Sequence, residues 1–331
     1  MPFPPGKKED IQMEGGEWVK ASDGIEIYAK TWKSSVQPPL AKVLAIHGLN
    51  EHINRSGYNF AFGKLAEAGL EVHGIDMRGF GRSGWLSGDR GYSGGLEVVL
   101  KDLGEAIERT YVEGVPLFIF GHSMGGGLAI LATHKYLNKY PITGVIISSP
   151  ALGVPPDQAL PWPLTAIAGG LAKVFPRMPA PNKIEGSQLT SVAANAQAYM
   201  DDKYVFHQTI MVGTILPVLF AAGNFAEKEY KSWPENLSIF AFIGEKDKVV
   251  DPPALKEFMT KLPAHDKKAK FYEGAVHELL HEVDPLPSLV ADEVKSWILA
   301  HADAKKNGKV LKAESSTIEV VSKEVWSNYK L

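Results

Sequence analysis

Pro116-Leu117-Phe118-Ile119-Phe120-Gly121-His122-Ser123-Met124-Gly125 decides the fold. A short apolar run meets a serine with a glycine two positions to either side. Gly126-Gly127-Leu128-Ala129-Ile130-Leu131-Ala132 then continues as a helix-compatible run. Strand, sharp turn and helix are the setting of a G-x-S-x-G nucleophile elbow, which lifts a serine hydroxyl out of the backbone into a site. The flanking glycines are required because the turn brings the backbone too close to its neighbours for side chains. Five residues match by chance easily; a strand before and a helix after do not come with chance.

Outward from the elbow, apolar runs alternate with helical patterns. Val43–Ile46 ends at His47-Gly48, Leu70–Ile75 ends at Asp76, and Val145–Ser148 ends at Ser149-Pro150. Helical spacing covers Tyr58–Ala68 and Leu96–Thr110. Trp18–Ser22 and Ile25–Trp32 flank Asp23-Gly24, a hairpin signal. Strand–helix alternation predicts a parallel sheet with right-handed crossovers. Sites in such sheets lie at the carboxyl ends of the strands, so residues after each strand share one rim. The pattern breaks near residue 152, where proline-rich turns and two apolar helical segments follow. It resumes with the strand Leu237–Ile243, a helix near Pro253–Leu262, the strand Ala269–Tyr272 and a helix near Leu286–His301. From Ala302 the chain is charged and polar, with one amphipathic patch at Ile318–Trp326.

A serine needs a base, and the base needs an orienting acid. Behind an elbow of this kind the chain order is Ser, acid, His. Asp247 lies four residues past the strand 237–243 and His277 lies in the loop after the strand 269–272. Asp251 and Glu245 compete with Asp247, but Asp251-Pro252-Pro253 reads as a helix start. His281 competes with His277, which is nearer its strand. Backbone N–H groups of Met124 and of Leu49 are the expected oxyanion donors.

Two other motifs need weighing. His277-Glu278-Leu279-Leu280-His281 spells H-E-x-x-H, a zinc signature that requires both histidines on one helix face. Gly274 before it and Pro285 after it leave little helix, and the elbow needs His277 itself. Gly79-Phe80-Gly81-Arg82-Ser83-Gly84 matches G-x-G-x-x-G, but the residues from Trp85 onward read as loop, whereas a dinucleotide site opens a helix there.

The composition narrows the classes. The chain has 331 residues, 45% of them hydrophobic, and a net charge of −3. No basic excess points to nucleic acid, and with no cysteine there is no disulfide framework or thiol chemistry. The N-terminus lacks a signal-peptide core, and the longest uncharged apolar stretch, Gln158–Ala172, contains Pro161 and Pro163 and is too short to span a bilayer. A cytoplasmic protein is expected.

Together His47-Gly48-Leu49-Asn50-Glu51-His52, Asp76–Ser83, Gly121–Gly126, Gly244–Asp247 and Tyr272–His277 resemble the monoacylglycerol lipase branch of the α/β-hydrolases, related to serine aminopeptidases and lysophospholipase-like enzymes. The resemblance covers about residues 20–301. It implies a mostly parallel eight-stranded sheet flanked by helices, with a mainly helical cap inserted after the sixth strand. The expected division is a core over 1–151 and 236–301, the cap over 152–235 and an extension over 302–331. It also implies hydrolysis of an acyl ester, monoacylglycerol foremost, with Ser123, Asp247 and His277 as the triad and with no metal or organic cofactor. Lysophospholipase, carboxylesterase, aminopeptidase and acyltransferase activities, or a non-catalytic binding role, are the alternatives. His47, Gly48, Asn50, Glu51 and His122 are expected at the substrate. The branch has H-G-x-G-E-H where this chain has Asn50 for the second glycine; Asn tolerates left-handed backbone. In the cap, Leu160, Leu164, Ile167, Leu171 and Val174 recur at helical spacing beside Trp162 and Phe175, and a second segment carries Ile210, Met211, Ile215, Leu216, Leu219 and Phe220. Packing of the cap on the body accounts for most of these. The first segment, however, is apolar nearly all round, as a helix is where it meets a ligand tunnel or a membrane. Leu164, Ile167 and Leu171 are therefore candidate substrate contacts. Lys173 and Arg177 suit a headgroup surface of a membrane or lipid droplet.

Overall fold

The computed structural model describes residues 4–157, 162–180, 184–209, 211–308 and 317–330. Among these residues nine strands form one sheet: β1 Gly16–Lys20, β2 Glu26–Trp32, β3 Ala41–Ile46, β4 Leu70–Ile75, β5 Leu117–His122, β6 Ile142–Ser148, β7 Ser238–Gly244, β8 Lys267–Tyr272 and β9 Thr317–Val321. The spatial order is β1-β2-β4-β3-β5-β6-β7-β8-β9. β2 is antiparallel to both neighbours; every other pairing is parallel.

Both faces of the sheet are covered, which is why β5 and β7 read as unbroken apolar runs and are buried throughout. Alternate residues serve opposite layers. Leu117, Ile119, Val145, Ile147, Ile239 and Ala241 face one core, shared with α3 (Leu96–Thr110) and α4 (Met124–Tyr136). Phe118, Phe120, Ile146, Phe240 and Phe242 face the other, shared with α1 (Ser56–Glu67) and α10 (Leu286–Lys306). Edge-on aromatic pairs set this second layer, Phe118 on Trp297 at 5.8 Å and Phe62 on Phe120 at 5.4 Å; each such pair adds about 0.5–1.5 kcal/mol to simple burial. α3 buries Val99, Leu100, Leu103, Ala106 and Ile107, one stripe at i, i+3/i+4 spacing.

Among the described residues, the α-helices between β6 and β7 are α5 Trp162–Val174, α6 Gly186–Leu189, α7 Ala193–Asp201 and α8 Val212–Asn224. α8 packs on α4, where a Cβ at Gly127 would meet Ala222 at 3.1 Å. α5 lies on α8 through Gly169, whose added Cβ would be 3.0 Å from Phe220. The remaining helices are α2 Gly81–Ser87, α9 Pro252–Lys261 and α11 Lys323–Ser327.

Two expectations change. The sheet has nine strands, one more than eight. The amphipathic patch in the extension supplies β9, which pairs Thr317–Val321 with Lys268–Tyr272 of β8. The residues from Trp85 are also not all loop, because Trp85–Ser87 complete a helix that opens at Gly81. No phosphate could use that helix start: Asp76 fills it, its Oδ2 accepting from the Arg82 N–H at 2.8 Å and its Oδ1 from the Ile53 N–H at 2.9 Å.

Candidate active site

Ser123 sits between the end of β5 and the start of α4 with φ 53° and ψ −121°. A non-glycine residue held there is strained, and strain of this kind clusters at working sites. The glycines around it are needed. A Cβ at Gly121 would meet the Gly125 carbonyl oxygen at 2.2 Å, and one at Gly125 would meet the Ile46 carbonyl oxygen at 2.3 Å. The surroundings hold the turn. The Ser123 N–H donates to the Ser148 carbonyl at 2.9 Å, and the Ser123 carbonyl accepts from Gly126 at 2.9 Å and Ala151 at 2.9 Å.

Asp247 and His277 come from the loops after β7 and β8. The Nδ1–H of His277 donates to Asp247 Oδ2 at 2.6 Å. The other carboxylate oxygen, Oδ1, accepts from Val249 and Val250 at 2.8 and 3.1 Å. The acid is thus fixed by its own loop and fixes the imidazole tautomer in turn, leaving Nε2 to accept a proton. His277 is 1% exposed. Burial, the largest influence, disfavours its charged form, but the charge and hydrogen bond of Asp247 outweigh it and hold His277 above its usual 6.5. Its carbonyl accepts from Ser149 Oγ at 2.8 Å, and its ring lies 4.9 Å from that of His122, next to Ser123. Of the competing acids, Glu245 is exposed and Asp251 stands at the start of α9.

His281 has a different task. Its Nε2 accepts from the Gly57 N–H at 3.0 Å, and burial pushes its pKa down to about 4, so it is a neutral acceptor. Residues 279–281 make a single 3-10 turn, and Glu278 pairs with Arg55. Among the described residues no group of three His, Cys, Asp or Glu side chains is placed to hold a metal ion.

The loop after β3 abuts the elbow. Gly48 is so close that a Cβ on it would lie 3.2 Å from Ser123 Cβ. Met124 opens α4, so its N–H has no acceptor within the helix. The loop is held from below. His47 Nδ1–H donates to the Gly48 carbonyl at 2.7 Å while Nε2 accepts from the Met77 N–H at 2.8 Å. Glu51 Oε1 accepts from the Gly48 N–H and from Tyr58 Oη, both at 2.6 Å. Burial opposes charge on Glu51, but the Arg55 guanidinium at 2.7 Å keeps it well below the usual carboxylate range. His47 and Glu51, expected as substrate contacts, are therefore buried with their polar atoms engaged inside the loop; they position Gly48. Asn50 does adopt left-handed backbone, φ 65°, and its carbonyl accepts from the Phe206 N–H at 2.8 Å. His122, held near pKa 4 by burial and then by His277, meets Ser148 Oγ at 3.1 Å.

The cap candidates fare differently. Ile167 is 56% exposed and Leu171 36%, because α5 turns Gly169 rather than these side chains toward α8. They face solvent instead of lining a channel to Ser123. The Leu160 and Ile210 positions and the side chains of Trp162 and Leu164 lie outside the described residues. Arg55 and Glu278 were not singled out from sequence. Glu51 and Arg55 stand at i, i+4, a helical ion-pair spacing, but Glu278 is 223 residues away from Arg55, and its place in the H-E-x-x-H motif says nothing of that pairing.

A buried serine at a strained elbow and an acid-oriented imidazole are the elements of acyl transfer. Comparison with known proteins agrees. Residues 37–284 match the family described as Serine aminopeptidase, S33. The monoacylglycerol lipase of Mycolicibacterium smegmatis is 30% identical over 287 residues, 84% of this chain and 94% of that protein. A Schizosaccharomyces pombe protein is 31% identical over 294 residues, 88% of this chain and 75% of its own length. The fold matches that of a soluble variant of monoglyceride lipase from Saccharomyces cerevisiae, solved with a substrate analog, at a TM-score of 0.75 and 24% identity, covering 91% of this chain and 99% of that one. The chain belongs to the serine aminopeptidase S33 family of α/β-hydrolases, within its monoglyceride lipase-like branch of carboxylic ester hydrolases.

Proposed function

We propose that the protein hydrolyses monoacylglycerol to a fatty acid and glycerol through an acyl-enzyme on Ser123. The observation that carries this is the 2.6 Å contact of His277 Nδ1 with an Asp247 carboxylate already pinned by two backbone donors. Ser123 Oγ attacks the ester carbonyl as His277 Nε2 takes its proton. The N–H groups of Leu49 and Met124 receive the carbonyl oxygen as it becomes anionic. His277 returns the proton to the leaving alcohol, and water then repeats the sequence to free the acid.

The lipid character of the substrate is supported by the relatives' names and by the segment over the site, residues 152–235, which we read as a cap. Ser123 is 7% exposed, so the nucleophile lies beneath the surface, as a site that receives a long acyl chain requires. α5 and its continuation present Ile167, Leu171, Val174 and Phe175 to solvent beside the exposed Lys173 and Arg177, with Phe220 of α8 exposed nearby. We read this as a face that rests on a lipid surface and receives substrate from it. Among the described residues no helix is long and apolar enough to cross a membrane.

The test is a panel of purified substrates: monoacylglycerols of several chain lengths, lysophospholipids, p-nitrophenyl esters and aminoacyl anilides. Preference for monoacylglycerols by kcat/KM supports the reading. Preference for lysophospholipids, for simple esters without a glycerol, or for anilides overturns it.

A further inference from the structure

Glu273 lies four residues before His277, and the end of the chain holds it at three points. Its N–H donates to the Val321 carbonyl at 3.0 Å, its carbonyl accepts from Trp326 Nε1 at 3.0 Å, and its Oε2 accepts from the Lys323 N–H at 2.9 Å. The donors and acceptor come from the end of β9 and from α11. The tail is docked in its own right: Lys270 Nζ sits between Glu319 at 3.0 Å and Glu293 of α10, and Tyr329 Oη donates to Asp292 Oδ2 at 2.9 Å. Trp326 packs against the core between the sheet and α10.

The other side of the same loop is held by the loop of Asp247. The Glu245 N–H donates to the Tyr272 carbonyl at 3.0 Å and the Lys246 N–H to the Ala275 carbonyl at 2.9 Å. Between these supports Gly274 adopts φ 78°. Without the tail, β8 would be an edge strand, and the segment leading to His277 would be braced on one side only.

We propose that residues 317–330 are a positioning element for His277: by gripping Glu273 they fix the loop that presents the imidazole to Ser123. This rests on the Ser123–His277–Asp247 reading above. A shift of the imidazole by a fraction of an ångström loses rate without loss of substrate affinity, since misplacement by 1 Å costs on the order of 100-fold.

The grip can be loosened in the full-length chain without disturbing β9. Lys323→Pro removes one N–H at the first position of α11, where proline is accepted, and Ser322 before it is already extended. Trp326→Phe keeps the ring and removes the other donor. For the double variant, with the circular dichroism spectrum of the parent, kcat on a soluble p-nitrophenyl ester should fall about tenfold with KM within about twofold. The strongly deshielded Nδ1 proton of His277 should broaden in the NMR spectrum. Glu273→Gln, which still offers an oxygen to Lys323 N–H, should retain activity that Glu273→Ala loses. Unchanged kcat, a loss confined to KM, or equal losses in the Gln and Ala variants would overturn the proposal. If the parent hydrolyses no ester, the functional reading fails, while the His277 proton still reports whether the tail holds the loop.

Discussion

Replacing Arg55 by methionine tests the buried charge cluster beneath the site. Arg55, Glu51 and Glu278 are respectively 6%, 2% and 3% exposed. The guanidinium donates to Glu51 Oε2 at 2.7 Å and Glu278 Oε2 at 2.8 Å, and lies 4.8 Å from the Tyr199 ring. Methionine keeps much of the apolar stem and removes the charge, leaving two carboxylates in the interior with no cation. Breaking a buried ion pair in this way costs about 3–5 kcal/mol, a large part of the 5–15 kcal/mol typical of a domain. The cost should depend on pH in a definite direction. In the parent both carboxylates are held below their usual range, so their contribution is lost only at acid pH. In the variant, burial without a partner raises them above about 4.5, so the folded state binds protons that the unfolded state does not. The variant then gains stability relative to the parent as pH falls. Urea unfolding followed by circular dichroism at pH 7.5 and 5.5 should show a deficit of about 3–5 kcal/mol that shrinks by about 1 kcal/mol or more at the lower pH. Adding Glu278→Leu should recover part of it, since an apolar replacement of a buried pair is often tolerated. A deficit under about 1 kcal/mol, or one that does not change with pH, would refute the reasoning.

Asp247→Asn should retain the fold and lower kcat by about 10⁴, because the amide no longer enforces the Nδ1–H tautomer; a loss below tenfold would remove Asp247 from its role. In kcat/KM, the acid limb of the parent should lie above pH 6.5, the direction in which Asp247 moves His277, and should move down in this variant. Acid should destabilise the protein between pH 6.5 and 4. Over that window His122 and His281 stay neutral when folded but protonate when unfolded, worth up to about 3 kcal/mol each; His277, shifted up, contributes in the opposite sense and loses its contribution as pH rises through its folded value. Thermal scans from pH 7 to 4.5 should show the fall, and His281→Gln should flatten it. Val174→Glu with Phe175→Glu should weaken sedimentation with anionic phospholipid vesicles several-fold while leaving turnover of a soluble ester unchanged; equal binding would remove the lipid-surface role from this face.

What could be read in advance was local or periodic. α3 begins and ends where the 3.6-residue stripe does, and the elbow declares itself through glycines that have no room for a Cβ. The helix start at Asp251-Pro252-Pro253 and nearness to a strand end, rather than chain order, favour Asp247 and His277 over their neighbours. β9 could not be read in this way: Ile318-Glu319-Val320-Val321 is a short run after a charged stretch, and its partner strand is about 50 residues earlier. α2 was hidden by glycines at 81 and 84, residues that oppose helix; Asp76, five residues before Gly81, supplies the cap that permits it. The burial of His47 and Glu51 was not legible for a related reason. Motif residues beside a serine suggest contact with substrate, and only the fold shows their polar atoms engaged within the loop and its supports, Gly48, Met77, Tyr58 and Arg55. In α5 the apolar pattern was visible, but whether it faced a channel or solvent depended on which side lay on α8, and Gly169 decides that.

The central claim is that Ser123 is the nucleophile. Treatment with a fluorophosphonate, followed by proteolysis and mass spectrometry, tests it directly. The adduct should fall on the peptide containing Gly121–Gly125, at Ser123, with parallel loss of ester hydrolysis, and Ser123→Ala should show neither adduct nor turnover while keeping its fold. An adduct on another residue, or turnover surviving in Ser123→Ala, would contradict the account.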